Sequence, residues 1–321
     1  MAIEKETHVM VSVIIPAYNC DATLTRAVES VFEDACKDIE IIIVNDGSID
    51  NTALLMTELQ NRYQPLIKIS HQANFGGNSA RNLGLDLASG KYIQFLDADD
   101  FLMNDKLAIS VDAFQTDERL SCVYTDGCLN GDSNLKLEAA HSNLSAIVNN
   151  QFDEFTFGLN TNMPMFKRTF LSESGERWDE DLGCWQESEY FFRLMLSMES
   201  NDNVLHLPQV GFSRILTPHG IGQTQNTTRY VEHKIKAIFK IYQLCIDKGL
   251  DNLALENQVN GFLWVLYKQC VLQKLDMLIP TISDRHQKKS LLQMSIYRTP
   301  PRVIRVVYRL LSPIKRLFAS R

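Results

Sequence analysis

Short runs of β-branched and aromatic residues alternate with amphipathic helical patterns through the first 125 residues of the chain. The helical patterns place apolar residues on one face at intervals of three and four residues. Strands that alternate with helices at this spacing form βαβ crossovers, and such crossovers produce a mostly parallel, Rossmann-like sheet flanked by helices. The five predicted strands of this α/β fold are Met10–Pro16, Ile39–Val44, Leu66–Ser70, Tyr92–Leu96 and Cys122–Thr125.

The regular alternation of strand and helix patterns ends after residue 126. A looser polar stretch follows, and after it come two helical patterns and a strand pattern near Gln209–Leu216. From Thr228 onward the chain shows helical patterns only. The sequence therefore predicts an α/β domain over residues 1–222 and a helical region over residues 223–321. The composition, with 45% hydrophobic and 22% charged residues, is that of a soluble globular protein and excludes collagen-like and disordered classes.

Cysteine usage and the amino terminus bear on the compartment. The chain has 7 cysteines and no CxxC pair, which favours neither a disulfide framework nor a zinc site. The first ten residues, MAIEKETHVM, contain no apolar segment of a signal peptide, and no stretch reaches the length of about 18 apolar residues that a membrane-spanning helix needs. The expected location is therefore the cytoplasm.

The distribution of charge is uneven. A formal net charge of -7 argues against a nucleic-acid partner. The segment from Tyr297 to Arg321, however, carries arginines and lysines and no acidic residue. Residues 302–321 interleave these cations with apolar residues, a pattern typical of a basic amphipathic helix. Such a helix either lies on an anionic membrane surface, such as the inner face of the cell membrane, or packs on the domain with its basic face in solvent.

Acidic side chains follow two of the predicted strands at the points where the strands end. Asp46 follows the second strand, and Asp97, Asp99 and Asp100 follow the fourth. In an open parallel sheet the ligand crevice lies beyond the carboxyl ends of the strands, so up to four carboxylates should share one rim. Carboxylates this close repel one another, and a bound Mg²⁺ or Mn²⁺ relieves the repulsion. A surface turn with a helix-capping aspartate is the alternative interpretation.

Four segments of the chain together resemble the family 2 glycosyltransferases of the GT-A fold. The resemblance covers about residues 9–220 and implies a nucleotide-activated sugar donor, with uridine diphosphate as the nucleotide, gripped through a divalent metal. It also implies an inverting displacement at the sugar C1. The matching segments are VSVIIPAYN (11–19), IEIIIVNDGSIDNT (39–52), NFGGNSARNLGLDLASGKYIQFLDADD (74–100) and WQESEYFFRL (185–194).

The resemblance implies a role for each matching position of the donor site. Asp46 would hydrogen-bond the base edge, Asp97 would contact the ribose or the metal shell, and Asp99 would ligate the metal at the diphosphate. Arg81 is an always-charged planar donor that would suit the diphosphate. The remaining donor-site candidates are Pro16, Ala17 and Tyr18 in the nucleoside pocket, with Asn74 and Ser79 as minor contacts.

The general base implied by the resemblance is an acid six residues before an arginine. Alignment on Arg193 gives Glu187 this role, with Gln186 in place of the acid that usually precedes the base. Glu189 is the competing candidate, about 200° around the helix from Glu187, so both cannot face the donor. Trp185 either stacks on a sugar ring or serves as an apolar staple at the helix entry.

Two further residues near the end of the last predicted strand are weaker candidates. Arg214 and His219 stand where some enzymes of this fold supply a phosphate contact or a third metal ligand, although both are also ordinary surface residues. Processive synthases of the family are disfavoured, because Ser174 stands where their Gln-x-x-Arg-Trp motif would have its glutamine.

The residues and the resemblance together predict a metal-dependent inverting glycosyltransferase. It would transfer one sugar to a glycan or lipid-linked acceptor in surface polysaccharide biosynthesis. One alternative is a non-catalytic module of the same fold that binds nucleotide-sugars or glycans, which the unusual Gln186 keeps open. The other is a nucleotidyltransferase, which should show a glycine-rich, lysine-containing phosphate loop where this chain has AYNCDATL.

Overall fold

A computed structural model describes residues 9–137, 159–198, 203–216 and 228–249. The chain divides into two compact units, Met1–Gly220 and Ile221–Arg321. The described part of the first unit is an α/β structure built around one sheet, and the described part of the second unit is one helix.

Between Val11 and Thr116 the strands and helices alternate as the sequence predicts, apart from one short additional strand, whereas the strands at Asp132–Leu137 and Pro164–Lys167 were not predicted. The strands are β1 (Val11–Ala17), β2 (Ile39–Asp46), β3 (Ile67–Gln72), β4 (Tyr92–Phe95), β5 (Phe101–Leu102), β6 (Leu120–Leu129), β7 (Asp132–Leu137), β8 (Pro164–Lys167) and β9 (Asn203–Arg214). The helices are α1 (Leu24–Glu33), α2 (Thr52–Arg62), α3 (Gly77–Leu87), α4 (Lys106–Thr116), α5 (Arg168–Ser174), α6 (Gln186–Leu196) and α7 (Thr228–Asp247).

The strands form one sheet in the order β3-β2-β1-β4-β8-β6-β9-β5, with β7 paired to β6. Strands β1 to β4 are mutually parallel, and β9 runs parallel to β6. β8 is antiparallel to both of its neighbours, β4 and β6. The chain leaves β1 on one side towards β2 and β3 and returns on the other side as β4. The strand order therefore reverses at β1, which is where ligands bind in sheets of this type.

The core of the sheet is apolar because its central strands are covered on both faces. Every residue of β2 is buried, as expected for a parallel strand between two layers of helices. Helix α3 packs closely on β1 at Gly84, where an added Cβ would lie 2.3 Å from Ile14 Cγ2. Only a residue without a side chain fits at this contact, so α3 is held at a fixed distance from the sheet.

Several boundaries differ from the predicted ones. Strand β6 extends over Leu120–Leu129, beyond the predicted Cys122–Thr125, and α1 begins at Leu24 without a side-chain capping bond. The last strand begins at Asn203, well before the predicted Gln209. None of the helices in the described ranges is long and apolar enough to cross a membrane. The predicted helical patterns beyond residue 249 and the basic segment at 302–321 lie outside the described residues.

Candidate active site

The loops that follow β1 and β2 lie side by side at the carboxyl edge of the sheet. Asn19 joins them, because its side-chain oxygen accepts a hydrogen bond from the Ile49 N–H at 2.9 Å. Pro16 is partly buried and Ala17 has no exposed surface, whereas 48% of Tyr18 is exposed. Of the three residues predicted to line a nucleoside pocket, Tyr18 is the one that presents a side chain to solvent.

Asp46 lies at the end of β2 and holds the loop that precedes α3. Its Oδ1 accepts hydrogen bonds from Gln72 Nε2 at 2.8 Å and from the Phe75 N–H at 2.9 Å. Its Oδ2 accepts from the Gly76 N–H at 2.9 Å. Hydrogen bonds to a carboxylate are stronger than neutral ones, so this buried residue fixes the loop in which the exposed Asn74 lies. Its contact with a base edge stays a prediction.

Residues 97–100, which we name the aspartate loop, follow β4 directly. The loop is a tight turn in which the Asp100 N–H donates to the Asp97 carbonyl at 3.0 Å. Burial raises the pKa of Asp99, and the neighbouring Asp97 carboxylate raises it further, while Arg214 and Arg26 lower it. Two adjacent carboxylates with this repulsion are oxygen ligands of the kind that Mg²⁺ and Mn²⁺ prefer.

The side chains of the aspartate loop do not by themselves form a complete metal site. In the part of the chain that the structure describes, no three histidine, cysteine, aspartate or glutamate side chains are grouped so as to hold an ion. Asp97 and Asp99 fit a divalent cation only if further oxygen ligands come from elsewhere. A diphosphate and water supply such ligands where Mg²⁺ is bound with one or two carboxylates.

Asp100 points into the protein and not towards the rim. It is 2% exposed, its Oδ2 accepts from Asn162 Nδ2 at 2.5 Å, and its Oδ1 accepts from the Ile215 N–H at 2.8 Å. Burial, together with the other two carboxylates of the loop, raises the pKa of Asp100. Of the up to four carboxylates predicted at the rim, Asp97 and Asp99 are partly exposed, whereas Asp46 and Asp100 are buried and serve as internal hydrogen-bond acceptors.

Arg81, on α3, lies beneath the aspartate loop with 4% of its surface exposed. Its Nη2 donates to Asp97 Oδ1 at 2.7 Å and its Nη1 to Asn78 Oδ1 at 3.2 Å. Its guanidinium carbon lies 4.7 Å from the centroid of the Trp178 ring. The guanidinium that was predicted to contact a diphosphate is thus engaged by Asp97, and it orients that carboxylate. Ser79, on the same helix, is partly buried.

Helix α3 also holds the segment that leads into α6. Asn82 pairs with the backbone of Trp178 in both directions, donating to its carbonyl and accepting from its N–H, each at 2.9 Å. Asn78 Nδ2 donates to the Leu182 carbonyl at 3.0 Å. Asn78, Arg81 and Asn82 share one face of the helix because they are three and four residues apart. This face therefore joins the aspartate loop to the start of α6.

Gln186 is the first residue of α6 and takes part in this junction. In the amide orientation that satisfies its neighbours, its oxygen accepts from Arg81 Nη1 at 3.0 Å. Its nitrogen then donates to Asn78 Oδ1 at 3.2 Å and to the Leu182 carbonyl at 3.3 Å. An ionised carboxylate only accepts hydrogen bonds, so the acid usual at this position could not make all three contacts. Gln186 thus fixes α6 immediately before Glu187.

Glu187 is a partly buried carboxylate in the first turn of α6. Burial raises its pKa and the Asp97 carboxylate raises it further, whereas Arg81 and Arg214 lower it. Asp97, Arg81 and Arg214 belong to the carboxyl edge of the sheet or lie directly beneath it. Glu187 is therefore within electrostatic reach of the predicted donor site, and a raised pKa suits a carboxylate that takes up a proton.

Glu189 occupies a different environment from Glu187. It is 2% exposed, and its carboxylate accepts from Arg193 Nε at 2.7 Å and from Arg193 Nη2 at 2.9 Å. Arg193 also pairs with Glu176, and these two carboxylates raise the pKa of the guanidinium although burial lowers it. Of the two candidate bases, Glu189 is thus committed to an ion pair within the fold. The geometry favours Glu187.

The remaining predicted residues fall in three different places. Trp185 precedes α6 in the left-handed conformation, with φ at 57°, and is partly buried. Arg214 is exposed at the end of β9 and acts electrostatically on both Asp99 and Glu187. His219 lies outside the described residues.

Four residues that organise the site were not predicted from the sequence. Arg26, on α1, donates from Nη2 to the Asp99 carbonyl at 2.8 Å, and Asn162 holds the aspartate loop from the other side. Neither residue belongs to a recognisable pattern. Asn78 and Asn82 did leave a signal, because they flank Arg81 at helical spacing within GGNSARNLG.

The comparison with protein families identifies the chain. The model of Glycosyl transferase family 2 matches residues 12–173, half of the chain, and the protein belongs to this family. The matched family is one of glycosyltransferases, which argues against the nucleotidyltransferase alternative. Chondroitin synthase of Escherichia coli is 40% identical over 116 residues, which are 36% of this chain and 17% of that protein. The minor teichoic acid biosynthesis protein GgaA of Bacillus subtilis is 30% identical over 202 residues, which are 58% of this chain and 43% of that protein.

Solved structures confirm the predicted GT-A fold. The S. aureus TarS fragment 1–349 in complex with UDP superposes with a TM-score of 0.61 at 16% identity, covering 89% of this chain and 77% of that one. The mannosyltransferase PcManGT from Pyrobaculum calidifontis in complex with GDP-Man and Mn²⁺ gives 0.60 at 17% identity, covering 98% and 88%. The chain spans less than half the length of the two curated relatives, so they share with it a region and not a whole architecture.

Proposed function

We propose that this protein is a metal-dependent, inverting glycosyltransferase of surface polysaccharide assembly. It transfers a single sugar from a uridine diphosphate sugar to a glycan or lipid-linked acceptor. Membership of family 2 supports the reaction type. The names of two relatives, a chondroitin synthase and a teichoic acid biosynthesis protein, support a polysaccharide product. The UDP bound by one structural neighbour supports the nucleotide.

The placement of Glu187 is the observation that carries this proposal. This carboxylate stands at the start of α6, where Gln186 and Arg81 tie the helix to the donor side of the site. Burial and the charge of Asp97 raise the pKa of Glu187. A partly buried base beside a cluster of charges that suits an anionic donor is the arrangement that acid–base sugar transfer requires.

The donor would bind across the ends of β1, β2 and β4. Tyr18 would contact the nucleoside with Pro16 and Ala17 behind it, and the loop that Asp46 fixes would lie at the base edge. Asp97 and Asp99 would hold the divalent cation, and the aspartate pair is the ligand type that Mg²⁺ or Mn²⁺ accepts. When bound, this cation would stabilise the negative charge of the departing diphosphate.

The transfer step follows from the position of the base. Glu187 accepts the proton of the acceptor hydroxyl while that oxygen attacks C1 of the donor sugar. A bond forms between the acceptor oxygen and C1, and the bond from C1 to the diphosphate oxygen breaks, its electron pair leaving with the nucleotide. Attack from the side opposite the leaving group inverts C1. Arg214, exposed beside Asp99, would supply positive charge to the leaving diphosphate.

We further propose a cytoplasmic location, with residues 302–321 on an anionic membrane surface. The absence of acidic residues from Tyr297 onward supports this, since clustered cations are attracted to anionic lipids. Lipid-linked acceptors would then be reached from the membrane face. Binding of the full chain to phosphatidylglycerol vesicles, lost at high salt and lost when the cations of 302–321 are replaced by glutamine, would support this location. Equal binding of the substituted chain would contradict it.

The test of the reaction is a transfer assay with UDP-sugars and Mn²⁺. The unaltered protein should release UDP, and Glu187→Gln should bind the donor with unchanged affinity but lose turnover by about 10²-fold or more, the range found for a general base. Glu58→Gln, an exposed substitution on α2, is the matched control and should leave turnover unchanged. If the unaltered protein releases no UDP from any common UDP-sugar, alone or with acceptors, the proposed function fails.

The metal requirement has its own test. Asp99→Ala should abolish the part of donor binding that depends on Mn²⁺, measured by calorimetry with and without chelator. Asp112→Ala, at an exposed position of α4, is the control for removal of one surface carboxylate. Metal-dependent binding that survives in Asp99→Ala would remove Asp99 from the metal site.

The non-catalytic alternative depended on the unusual Gln186. The structure gives this residue three hydrogen bonds to α3 and the segment before α6, so its presence is explained by packing of the base-bearing helix. The acid that the family usually has at 186 is therefore not a missing base. Glu187→Gln separates the two functions, because a binding module would be indifferent to the change.

A further inference from the structure

Asp100 and Asn162 form a buried pair directly below the aspartate loop. Asn162 has no exposed surface and Asp100 is 2% exposed. The Asn162 amide is used at both ends: Nδ2 donates to Asp100 Oδ2 at 2.5 Å, and Oδ1 accepts from the Asp97 N–H at 2.8 Å. The backbone of Asn162 is fixed as well, since its carbonyl accepts from Gln94 Nε2 at 3.0 Å. The amide therefore grips the first and last residues of the loop.

The pair also reaches a third segment of the chain. Asp100 Oδ1 accepts from the Ile215 N–H at 2.8 Å, immediately after β9. Ile215 follows Arg214, the exposed cation that acts on both Asp99 and Glu187. Asp100 and Asn162 thus form a continuous set of hydrogen bonds from the Asp97 backbone to the segment that carries Arg214.

We propose that Asp100 and Asn162 are a positioning pair for the donor diphosphate site. The pair holds the aspartate loop against the end of β9, so that Asp97, Asp99 and Arg214 face the same diphosphate. Asp100 is then neither a metal ligand nor a donor contact, although it belongs to the acidic cluster. The inference rests on the proposed donor site and names the residues that give it its geometry.

The pattern of donors and acceptors makes the proposal specific. Two backbone N–H groups, at Asp97 and Ile215, each need an acceptor from the pair, and the two side chains also need one bond between them. One amide and one carboxylate provide this set of three bonds. Two amides would set a donor against a donor at the central contact, and two carboxylates would set an acceptor against an acceptor. The set is equally satisfied when the amide and the carboxylate exchange places.

The exchange gives the test. Asp100→Asn alone and Asn162→Asp alone each break the central bond and should raise the Kd and the KM for UDP-sugar by about tenfold or more, as expected for loss of a buried bond to a charged group. The double variant Asp100→Asn/Asn162→Asp restores all three bonds and should recover donor affinity to within a few-fold of the original. A role confined to stability would lower the melting temperature without changing the KM of the folded fraction.

An exposed pair of the same residue types is the matched control. On β7, Asn134 Nδ2 donates to Asp132 Oδ1 at 2.9 Å in solvent. The reciprocal exchange Asp132→Asn/Asn134→Asp and its two single variants should leave the Kd for UDP-sugar unchanged. Donor affinity that depends on β7 would show that the effects at 100 and 162 are not specific.

Hydrogen exchange in the unaltered protein keeps the proposal testable if a variant does not fold. The amide protons of Asp97 and Ile215 should exchange slowly, because both donate to the buried pair. Fast exchange at both amides would overturn the proposal. Single variants with unchanged affinity for UDP-sugar would also overturn it, as would a folded double variant that recovers no affinity for UDP-sugar. Failure of the unaltered protein to bind UDP-sugar would instead refute the proposed function, while slow exchange at both amides would still show the pair in place.

Discussion

Substitution of Glu189 by glutamine should cost stability and leave the chemistry intact. The Glu189 carboxylate makes two charged hydrogen bonds with Arg193, at 2.7 and 2.9 Å, and the two side chains are 3% and 13% exposed. Removal of one partner from a buried ion pair costs about 3–5 kcal/mol. Arg193 keeps Glu176 and the Arg177 carbonyl as partners. The expected loss is therefore at the lower end, about 3 kcal/mol.

The measurement compares thermal unfolding with turnover in the same preparation. For a domain of this size, about 1 kcal/mol corresponds to roughly 2–4 °C in Tm, so Glu189→Gln should lower Tm by roughly 6–12 °C. At 25 °C, where both proteins are folded, kcat per folded molecule should agree within about twofold. Glu187→Gln should give the opposite result, with a small change in Tm and a loss of transfer of about 10²-fold or more.

One result would refute this reasoning about the two carboxylates. If Glu189→Gln kept its Tm and lost transfer by about 10²-fold, then the buried ion pair would contribute little and Glu189 would be the base. The assignment of Glu187 would then have to be withdrawn. Full turnover in Glu187→Gln would likewise show that Glu187 is not the base.

Three further predictions concern pH, the α3 junction and packing. The pH–rate profile should show kcat/KM rising with pH through a value above 4.5, the ordinary pKa of a glutamate. Burial and Asp97 raise the pKa of Glu187, and a general base works only when it is deprotonated. Asn82→Ala removes two bonds to Trp178 and should lower the free energy of unfolding in urea by about 1–3 kcal/mol. Gly84→Ala sets a Cβ against β1 and should cost about 1–3 kcal/mol in the same assay.

Each of these expectations has a result that contradicts it. An acid limb at or below pH 4.5 would show that Glu187 is more solvated than the structure indicates. Asn82→Ala should be compared with Asn61→Ala, an exposed change on α2, and equal stabilities would mean that the bonds to Trp178 contribute nothing. An unchanged stability in Gly84→Ala would require α3 to move away from the sheet.

The strands and the rim could be predicted because they depend on local pattern. The β-branched runs at 10–16 and 39–44 are short and apolar throughout, and a parallel strand buried on both faces needs that composition. Polar residues directly after such runs must lie at the carboxyl edge of the sheet. Glu187 could be selected because the resemblance to the family motif, aligned on Arg193, gives it the position of the base.

The directions of the charged side chains could not be predicted in the same way. Arg81 turns to Asp97, and Asp100 turns to Asn162 and Ile215, partners that are distant in sequence or come from loops without pattern. A sequence shows that a carboxylate is near an edge, but burial of its oxygens depends on which backbone N–H groups arrive there. The acidic cluster therefore looked like one site, although one of its members is internal.

The face of α3 that carries Asn78, Arg81 and Asn82 has a consequence for the order in which the enzyme is assembled. Strand β2, which bears Asp46, and the aspartate loop, which bears Asp97 and Asp99, are complete by residue 100, whereas Glu187 follows the segment after Trp178. A chain emerging from the ribosome would thus contain these three carboxylates long before Glu187, and also before Asn162 and Ile215, which hold the aspartate loop. Docking of residues 178–187 on α3 brings Trp178 to Asn82, which is 96 residues earlier in the chain, and contacts between distant residues form slowly. The proposed site is therefore expected to be completed late in folding, when the segment from Asn162 to Ile215 has joined the part of the sheet formed by β1 to β4.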